Sequence, residues 1–559
     1  MPRATRINVL LLCLLSGGLW ILAWPTMGGL TPLAFVAWLP MFLAEELHHQ
    51  RTLSRKRAFA PYAMAGLVLW NFSTTYWLGV VQEPWPTRLL SGGFPTVGNT
   101  LLMALPFILA RWLRGAAGTR AAQYGFIVLW LSFEHLHFDW DLQWPWLTLG
   151  HVFSTRTSWV QWYELTGALG GSLWVLLINL FLFRAYMAHR EARARDGRLA
   201  LASAGLLLIV PLAASAWRYA TYVPQGNTME VVVVQPNVDP YHEKFGGMDP
   251  LVQLDRMLDQ AAAMMTDSTA LVVMPETALQ EKASLARERN GDLVLQGLWE
   301  NDLEASRSVE RMRRFLQQRP GTALLTGMSS ALLYPAGKGR TGTARPLGGS
   351  EAYFDAFNAA LMIDARRPAR SYHKSKLVAG VEKVPFESVL GKLDGLAIDM
   401  GGTTGSLGEQ EDRTVFRSAL DPRIAVAPLI CYESVFGDHV AAHVRNGATL
   451  LAIMTNDGWW GTSPGYRQHL HYGRLRAVEN RRDIARSANT GVSCFIDQRG
   501  DLHQTTEFWV PAALRGEVRL NTRITFFTRY GDQVGRIALL FAVLVLLNGL
   551  VKQGQKKRV

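Results

Sequence analysis

Residues 229–240 read MEVVVVQPNVDP, and the four consecutive valines decide what the second half of the chain is. A strand with one wet face alternates apolar and polar residues. The run Val231 to Val234 has no polar face, so it predicts a strand buried on both sides, as in sheets covered by other layers. The theme returns in TALVVMPETAL (269–279), NAALMID (358–364), IAVAPLICYES (424–434) and TLLAIMTNDGWWG (449–461). Helical candidates lie at 249–265, 304–318, 435–446 and 467–485. Strands alternating with helices predict an α/β domain over 226–520. The last candidate overlaps YGRLRAVENRRDIAR (472–486), read as an amphipathic helix most of whose arginines form a solvated, charged face.

On either side of this region the composition changes. The chain of 559 residues is 49% hydrophobic and 18% charged, with a mean hydropathy of +0.07. Apolar stretches near 7–24, 30–46, 59–81, 91–112, 122–139, 164–186 and 199–219 each approach the ~20 residues that cross a bilayer core as a helix. The second is short, and the fifth carries Glu134, His135 and His137. One more, VGRIALLFAVLVLLNGLV, covers 534–551. The expected architecture is therefore a membrane helical bundle over 1–222, an α/β domain over 226–520 and a final membrane helix, about eight spans in all.

The charges give a direction. Arg3 and Arg6 precede the first span, and Arg51, Arg55, Lys56 and Arg57 follow the second. Arg111, Arg114 and Arg120 follow the fourth, and Arg190, Arg193, Arg195 and Arg198 follow the sixth. Lys552, Lys556, Lys557 and Arg558 follow the eighth. Positive residues collect in cytoplasmic loops, so both termini are expected inside and 226–520 outside. The net charge of +12 is then largely loop charge, and no nucleic-acid partner is called for.

Three cysteines, Cys13, Cys431 and Cys494, show neither CxxC nor zinc-type spacing. Cys431, at the end of VAPLIC, reads first as a core residue, since free cysteine is among the most buried residue types, with half of a disulfide or a nucleophile as the alternatives. Two other polar residues share its setting: Glu276 ends LVVMPE, and Lys374 lies in SYHKSKLV after ALMID. Sheets with parallel strands bind ligands just beyond the strand ends. A carboxylate can make a thiol into a thiolate, and an ammonium can stabilise the oxyanion of an attacked carbonyl. Lys376 and Lys383 are rival lysines. Cys494, inside GVSCFID, reads as core.

Glu, Lys and Cys in this order, within MPET, YHKSKLV and ICYES, resemble the carbon–nitrogen hydrolase (nitrilase) superfamily. With membrane spans before and after, and with VVVVQPNV, NDGWWG, RSANTGVS and WPWLTLG, the whole chain is similar to the apolipoprotein N-acyltransferases, its membrane-bound branch. The resemblance implies a nitrilase-like α-β-β-α sandwich. It also implies a ping-pong acyl transfer at the outer face of a bacterial inner membrane. Glu276 would be base and acid, Lys374 the oxyanion holder and Cys431 the nucleophile, with Glu382, Tyr432 and Glu433 in support. The implied partners are a phospholipid acyl donor, membrane lipid and a diacylglyceryl-modified apolipoprotein, served by a monomer with no cofactor and no metal.

At 377–385 the family pattern is close to LVPFGEFVP, whereas this chain has LVAGVEKVP. Glu382 is kept, while Gly380 and Lys383 replace bulky apolar residues in what would be the acyl pocket. Trp299, Asn456, Trp459 and Trp144 are further candidates for substrate or lid contacts, with 291–302 and the Gly-rich 389–408 as possible flaps. Trp299 in particular is expected as an interfacial anchor. A membrane-tethered amidase or nitrilase using water remains an alternative. So does a transporter or receptor with a degenerate outer domain.

Overall fold

A computed structural model describes residues 3–52, 58–244, 247–287, 293–337, 339–348, 350–386 and 406–558. The chain divides into two compact units. One comprises Met1–Tyr222, Ser463–Leu475 and Tyr530–Val559; the other comprises Val223–Thr462 and Arg476–Arg529.

The first unit is helical. Among the described residues five helices are long and apolar enough to cross a membrane: Ala4–Ala23, Trp85–Ala117, Ala168–Arg190, Ala194–Thr221 and Gln533–Lys556. The other three expected spans fall on shorter or more polar helices, Leu39–Thr52, Ala60–Thr75 and Thr119–Leu136. Ala60–Thr75 has only 16 residues, and the other two carry charge. Leu39–Thr52 carries Glu45 and Glu46, which pair with Arg111 and Arg114 at 2.6–3.1 Å. Thr119–Leu136 ends in Glu134 and His135. Glu134 accepts hydrogen bonds from the Trp130 indole and the Leu149 amide, and His135 meets Asp532 at 2.7 Å. The interior is packed with tryptophans: Trp20 stacks on Trp70 with centroids 4.9 Å apart, and Trp38 meets Trp130 edge-on at 4.8 Å.

The second unit is a sandwich. Its strands are β1 (Asn227–Gln235), β2 (Thr269–Val273), β3 (Ser284–Arg287), β4 (Leu293–Gln296), β5 (Ala323–Tyr334), β6 (Arg345–Pro346), β7 (Tyr353–Ile363), β8 (Arg370–His373), β9 (Phe416–Arg417), β10 (Ala425–Ile430), β11 (Leu450–Thr455), β12 (Ile484–Ala488), β13 (Cys494–Ile496), β14 (Leu502–His503) and β15 (Ala512–Leu520). One sheet runs β15-β1-β2-β5-β7-β6, with β8 also on β7, and the second runs β14-β13-β12-β11-β10-β9. The β1–β2, β2–β5, β10–β11 and β11–β12 pairs are parallel.

The valine run explains the layers. Side chains alternate across a strand, so Val231 and Val233 join Leu271, Val273, Ile430 and Met454 in a core between the two sheets. Val232 and Val234 face the other way, onto Leu254, Met257, Val309 and Met312 of helices Pro250–Met264 and Arg307–Gln317. Burying each such side chain stabilises the fold by about 1.5–3 kcal/mol relative to exposure. The two helices start at Asp249 and Ser306, whose side chains accept from the Leu251 and Val309 amides.

The expected charged helix over 467–485 is corrected in two ways. It ends at Asn480, and Ile484 already belongs to β12. Its arginines are not a solvated face: Arg476, Arg481, Arg482 and Arg486 are each 1% exposed. Arg476 pairs with Glu479 at 2.8 Å and caps the Val435 carbonyl. Arg481 donates to the Gln498 carbonyl, and Arg482 to the Ala448 and Arg523 carbonyls. Arg486 pairs with Asp457 at 2.8 Å. Guanidinium groups with their donors so satisfied can be buried.

Candidate active site

The ends of β2, β8, β10 and β11 bring the polar residues together. Strand β10 stops at Ile430, and Cys431 begins a tight 3-10 turn, Cys431–Val435, with a φ of 50°. A non-glycine residue in the left-handed region costs on the order of 1–3 kcal/mol and persists only where its surroundings hold it. Glu433 does the holding. Its carboxylate accepts from the Ile430 amide at 2.7 Å, the Ser375 amide at 2.7 Å and the Tyr372 hydroxyl at 2.6 Å. Burial alone would raise the Glu433 pKa, but His439, the Tyr372 hydroxyl and His443 bring it down to about 2. Glu433 is thus a fixed anion that shapes the turn rather than a proton acceptor.

Glu276 sits in a second strained turn, followed by Thr277 at φ 46°. Gly327 backs it: a Cβ there would meet the Thr277 nitrogen at 2.4 Å, so only glycine lets β5 approach so closely. On the other side the buried Lys244 ammonium donates to the Glu276 carbonyl at 3.3 Å and to the Thr277 hydroxyl. The carboxylate is held at both oxygens. Oε1 accepts from Lys374 Nζ at 3.1 Å and Asn358 Nδ2 at 2.8 Å, and Oε2 accepts from the Asn456 amide at 3.1 Å.

Lys374 follows β8 and is 1% exposed. Its ammonium bridges Glu276 to Glu382, the latter at 2.9 Å. Glu382 is itself fixed by Asn358 Nδ2 at 2.8 Å and the Val378 amide at 2.9 Å. Burial pulls the Lys374 pKa down, but Glu276, Glu382 and Cys431 outweigh it and hold the group well above the ordinary ammonium value. Burial pushes the Cys431 thiol up and the Glu276 charge adds to that, while Lys374 opposes it. The Lys374 ammonium thus lies between the Glu276 and Glu382 side chains, in electrostatic reach of the Cys431 thiol.

The other sequence candidates divide. Tyr432 is buried beside Cys431 and packs edge-on against Phe436 at 4.9 Å. Asn456 contributes its backbone to Glu276. The Trp459 carbonyl accepts from the Tyr241 hydroxyl at 3.0 Å. Trp144 belongs to the helical unit, where its amide donates to the His137 carbonyl at 3.0 Å. Trp299 is not an interfacial anchor: it is 2% exposed, and its indole donates to the Ser284 carbonyl at 2.9 Å. Its ring meets Phe354 edge-on at 6.4 Å. Residues 291–292 and most of the 389–408 flap lie outside the described residues. The rival lysines are elsewhere, Lys376 over the Phe436 ring at 5.2 Å and Lys383 3.7 Å from Glu409. Cys494 is fully buried in β13.

Sequence reasoning missed Asn358, Tyr372 and Lys244. Asn358 had one signal, a lone amide inside the apolar strand FNAALMI. Among the described residues no group of three or more His, Cys, Asp or Glu is arranged to hold a metal ion.

Two family models match. The apolipoprotein N-acyltransferase N-terminal domain covers residues 16–181, and the carbon–nitrogen hydrolase model covers 230–522. Among curated proteins, the apolipoprotein N-acyltransferase of Chlorobaculum tepidum is 29% identical over 97% of this chain and 96% of its own length. That of Geobacter metallireducens is 28% identical over 93% of this chain and 91% of its own. Among solved structures, Saccharomyces cerevisiae Nit3, a nitrilase-superfamily protein, is 13% identical with a TM-score of 0.36, covering 53% of this chain and 92% of that one. The chain belongs to the carbon–nitrogen hydrolase family, as a member that carries the N-terminal domain of the apolipoprotein N-acyltransferases.

Proposed function

We propose that the protein transfers an acyl chain from a phospholipid to the free α-amine of a diacylglyceryl-modified N-terminal cysteine of an apolipoprotein, through a thioester on Cys431. The single observation that carries the assignment of roles is the Lys374 ammonium bridging Glu276 and Glu382 beside the Cys431 turn. Oε1 of Glu276 takes the Lys374 and Asn358 donors, while Oε2, which accepts the Asn456 amide, keeps a lone pair for proton transfer.

In the first half-reaction Glu276 takes the Cys431 proton and the sulfur attacks the ester carbonyl. The C–S bond forms, the oxyanion rests against Lys374, and the C–O bond then breaks as Glu276 returns the proton to the leaving alcohol. The products are a lysophospholipid and an acyl-enzyme. In the second half-reaction the amine attacks the thioester and Glu276 takes its proton. The C–S bond breaks and the thiol is restored. Water competes at this stage, and the burial of Glu276 and Lys374 works against it. The test is direct. Full-length protein in detergent, mixed with phospholipid alone, should gain the mass of one acyl chain on the Cys431 peptide. Prompt release of free fatty acid with no such adduct would favour a hydrolase.

We read all eight helical segments as spans, the shorter ones extended by adjoining turns such as Thr31–Phe35 and Tyr76–Gly79. The count has a consequence for sidedness. Eight spans leave both termini inside, whereas the five most apolar helices alone would put them on opposite sides. Reporter fusions after Arg198 and after Gly246 discriminate: eight spans place the first inside and the second outside. The reverse result would mean that the shorter helices do not cross.

A further inference from the structure

Cys431 has a neighbour that the proposed mechanism does not use. Strands β10 and β11 run parallel with Ile430 opposite Met454, so the next residues in each, Cys431 and Thr455, lie side by side. The Thr455 hydroxyl is within hydrogen-bonding reach of the Cys431 thiol, where a hydrogen donated to the sulfur would lower the thiol's pKa, and Thr455 is fully buried. A hydroxyl has one hydrogen, and that of Thr455 is donated to Asp457 Oδ1 at 2.9 Å. The other oxygen of Asp457 accepts from Arg486 Nη2 at 2.8 Å. Arg486 in turn donates to the Val492 carbonyl at 2.6 Å. Asp457 is 0% and Arg486 1% exposed. The carboxylate is also boxed in by backbone, since a Cβ on Gly491 would meet Asp457 Oδ2 at 2.4 Å. Moving either Asp457 or Arg486 would break a buried ion pair, which is costly.

We propose that Thr455 and Asp457 form a second arm on the nucleophile: Asp457, anchored by Arg486, captures the Thr455 hydrogen, so the hydroxyl presents a lone pair to Cys431 and holds the resting sulfur as a thiol. The charged groups facing the sulfur come from three strand ends. Glu276 after β2 and Asp457 after β11 disfavour the thiolate, and Lys374 after β8 favours it. The proton then leaves only when Glu276 takes it in the presence of a carbonyl to attack. Between turnovers the sulfur is a poor target for oxidants and alkylating agents, which act on the thiolate. Asp457, Thr455 and Arg486 are positioning residues in this scheme, which rests on the reading of Cys431 as the nucleophile.

The test is the pH profile of Cys431 alkylation by iodoacetamide in full-length protein in detergent, without substrate, from about pH 6 to about pH 10. Mass spectrometry of the Cys431 peptide gives the rate, and buried Cys494 staying unlabelled reports an intact fold. Asp457→Asn removes the negative charge and frees the hydroxyl hydrogen for the sulfur. The profile should move down by about one pH unit, giving about ten-fold faster labelling near neutrality. Thr455→Val removes the lone pair and should move the profile the same way by less, while Thr455→Ser leaves it in place. An unchanged profile in Asp457→Asn, or an upward shift in Thr455→Val, overturns the proposal. If Asp457→Asn exposes Cys494, Thr455→Val decides alone. Failure of the nucleophile reading would show separately, as turnover surviving Cys431→Ala, because labelling does not depend on turnover.

Discussion

Cys431→Ala should abolish turnover, while Cys494→Ala should retain most of it. Both are small changes to one sulfur in neighbouring parts of the same sheet, yet their settings differ. Cys431 starts a strained turn within reach of Glu276 and Lys374. Cys494 lies opposite Arg486 in the β12–β13 ladder and is fully buried. Removing the nucleophile of a covalent mechanism costs on the order of 10⁶ in rate, by analogy with the serine proteases. Trimming one buried sulfur costs stability and little chemistry. The comparison is made on folded, detergent-purified protein with phospholipid donor and lipopeptide acceptor. Equal loss in both variants, with both still folded, would remove Cys431 from its role.

The second large effect separates the two halves of the reaction. Glu276→Gln should block acylation of Cys431, and it should also block transfer from a thioester made beforehand, because one base serves thiol and amine alike. The substitution also sets the new amide against its neighbours. Lys374 Nζ and Asn358 Nδ2 donate to one oxygen and the Asn456 amide to the other, so a glutamine NH₂ faces a donor wherever it points. Raising the pH should partly rescue the variant, since more thiolate and more free amine form unaided. Lys374→Met, by contrast, should slow acylation by about 10²–10³ without loss of phospholipid binding, as for a missing oxyanion donor. Single-turnover acylation and transfer rates, measured against pre-acylated wild-type protein, resolve the steps. Acylation of Glu276→Gln at the wild-type rate near neutral pH would exclude Glu276 as the base and turn attention to Glu382.

What could be read from the sequence follows from what apolar pattern encodes. The valine run announced its two buried faces because burial on both sides leaves no polar position. Glu276, Lys374 and Cys431 stood out because each interrupts or ends such a run. Asn358 and Thr455 did not, since a single polar residue within or at the end of a strand is ambiguous until its neighbour across the sheet is known. The arginines of 476–486 were misread for a related reason. Their partners are mostly backbone carbonyls at Val435, Ala448, Gln498 and Arg523, and carbonyls have no letter in a sequence. Trp299 was misplaced because aromatic residues serve interfaces and cores alike.

Those four arginines bear on what becomes of a copy that fails to fold. In an unfolded copy, Arg474, Arg476, Arg481, Arg482 and Arg486 lie within a short stretch, each a cleavage point for a trypsin-like protease. Once β12 and the helix before it have docked, Arg476, Arg481, Arg482 and Arg486 are sealed inside. The segment that carries Arg486, the anchor of the Asp457 arm, is therefore open to cutting at these four sites only while the sandwich has not closed. A copy that fails to close would lose that anchor by digestion.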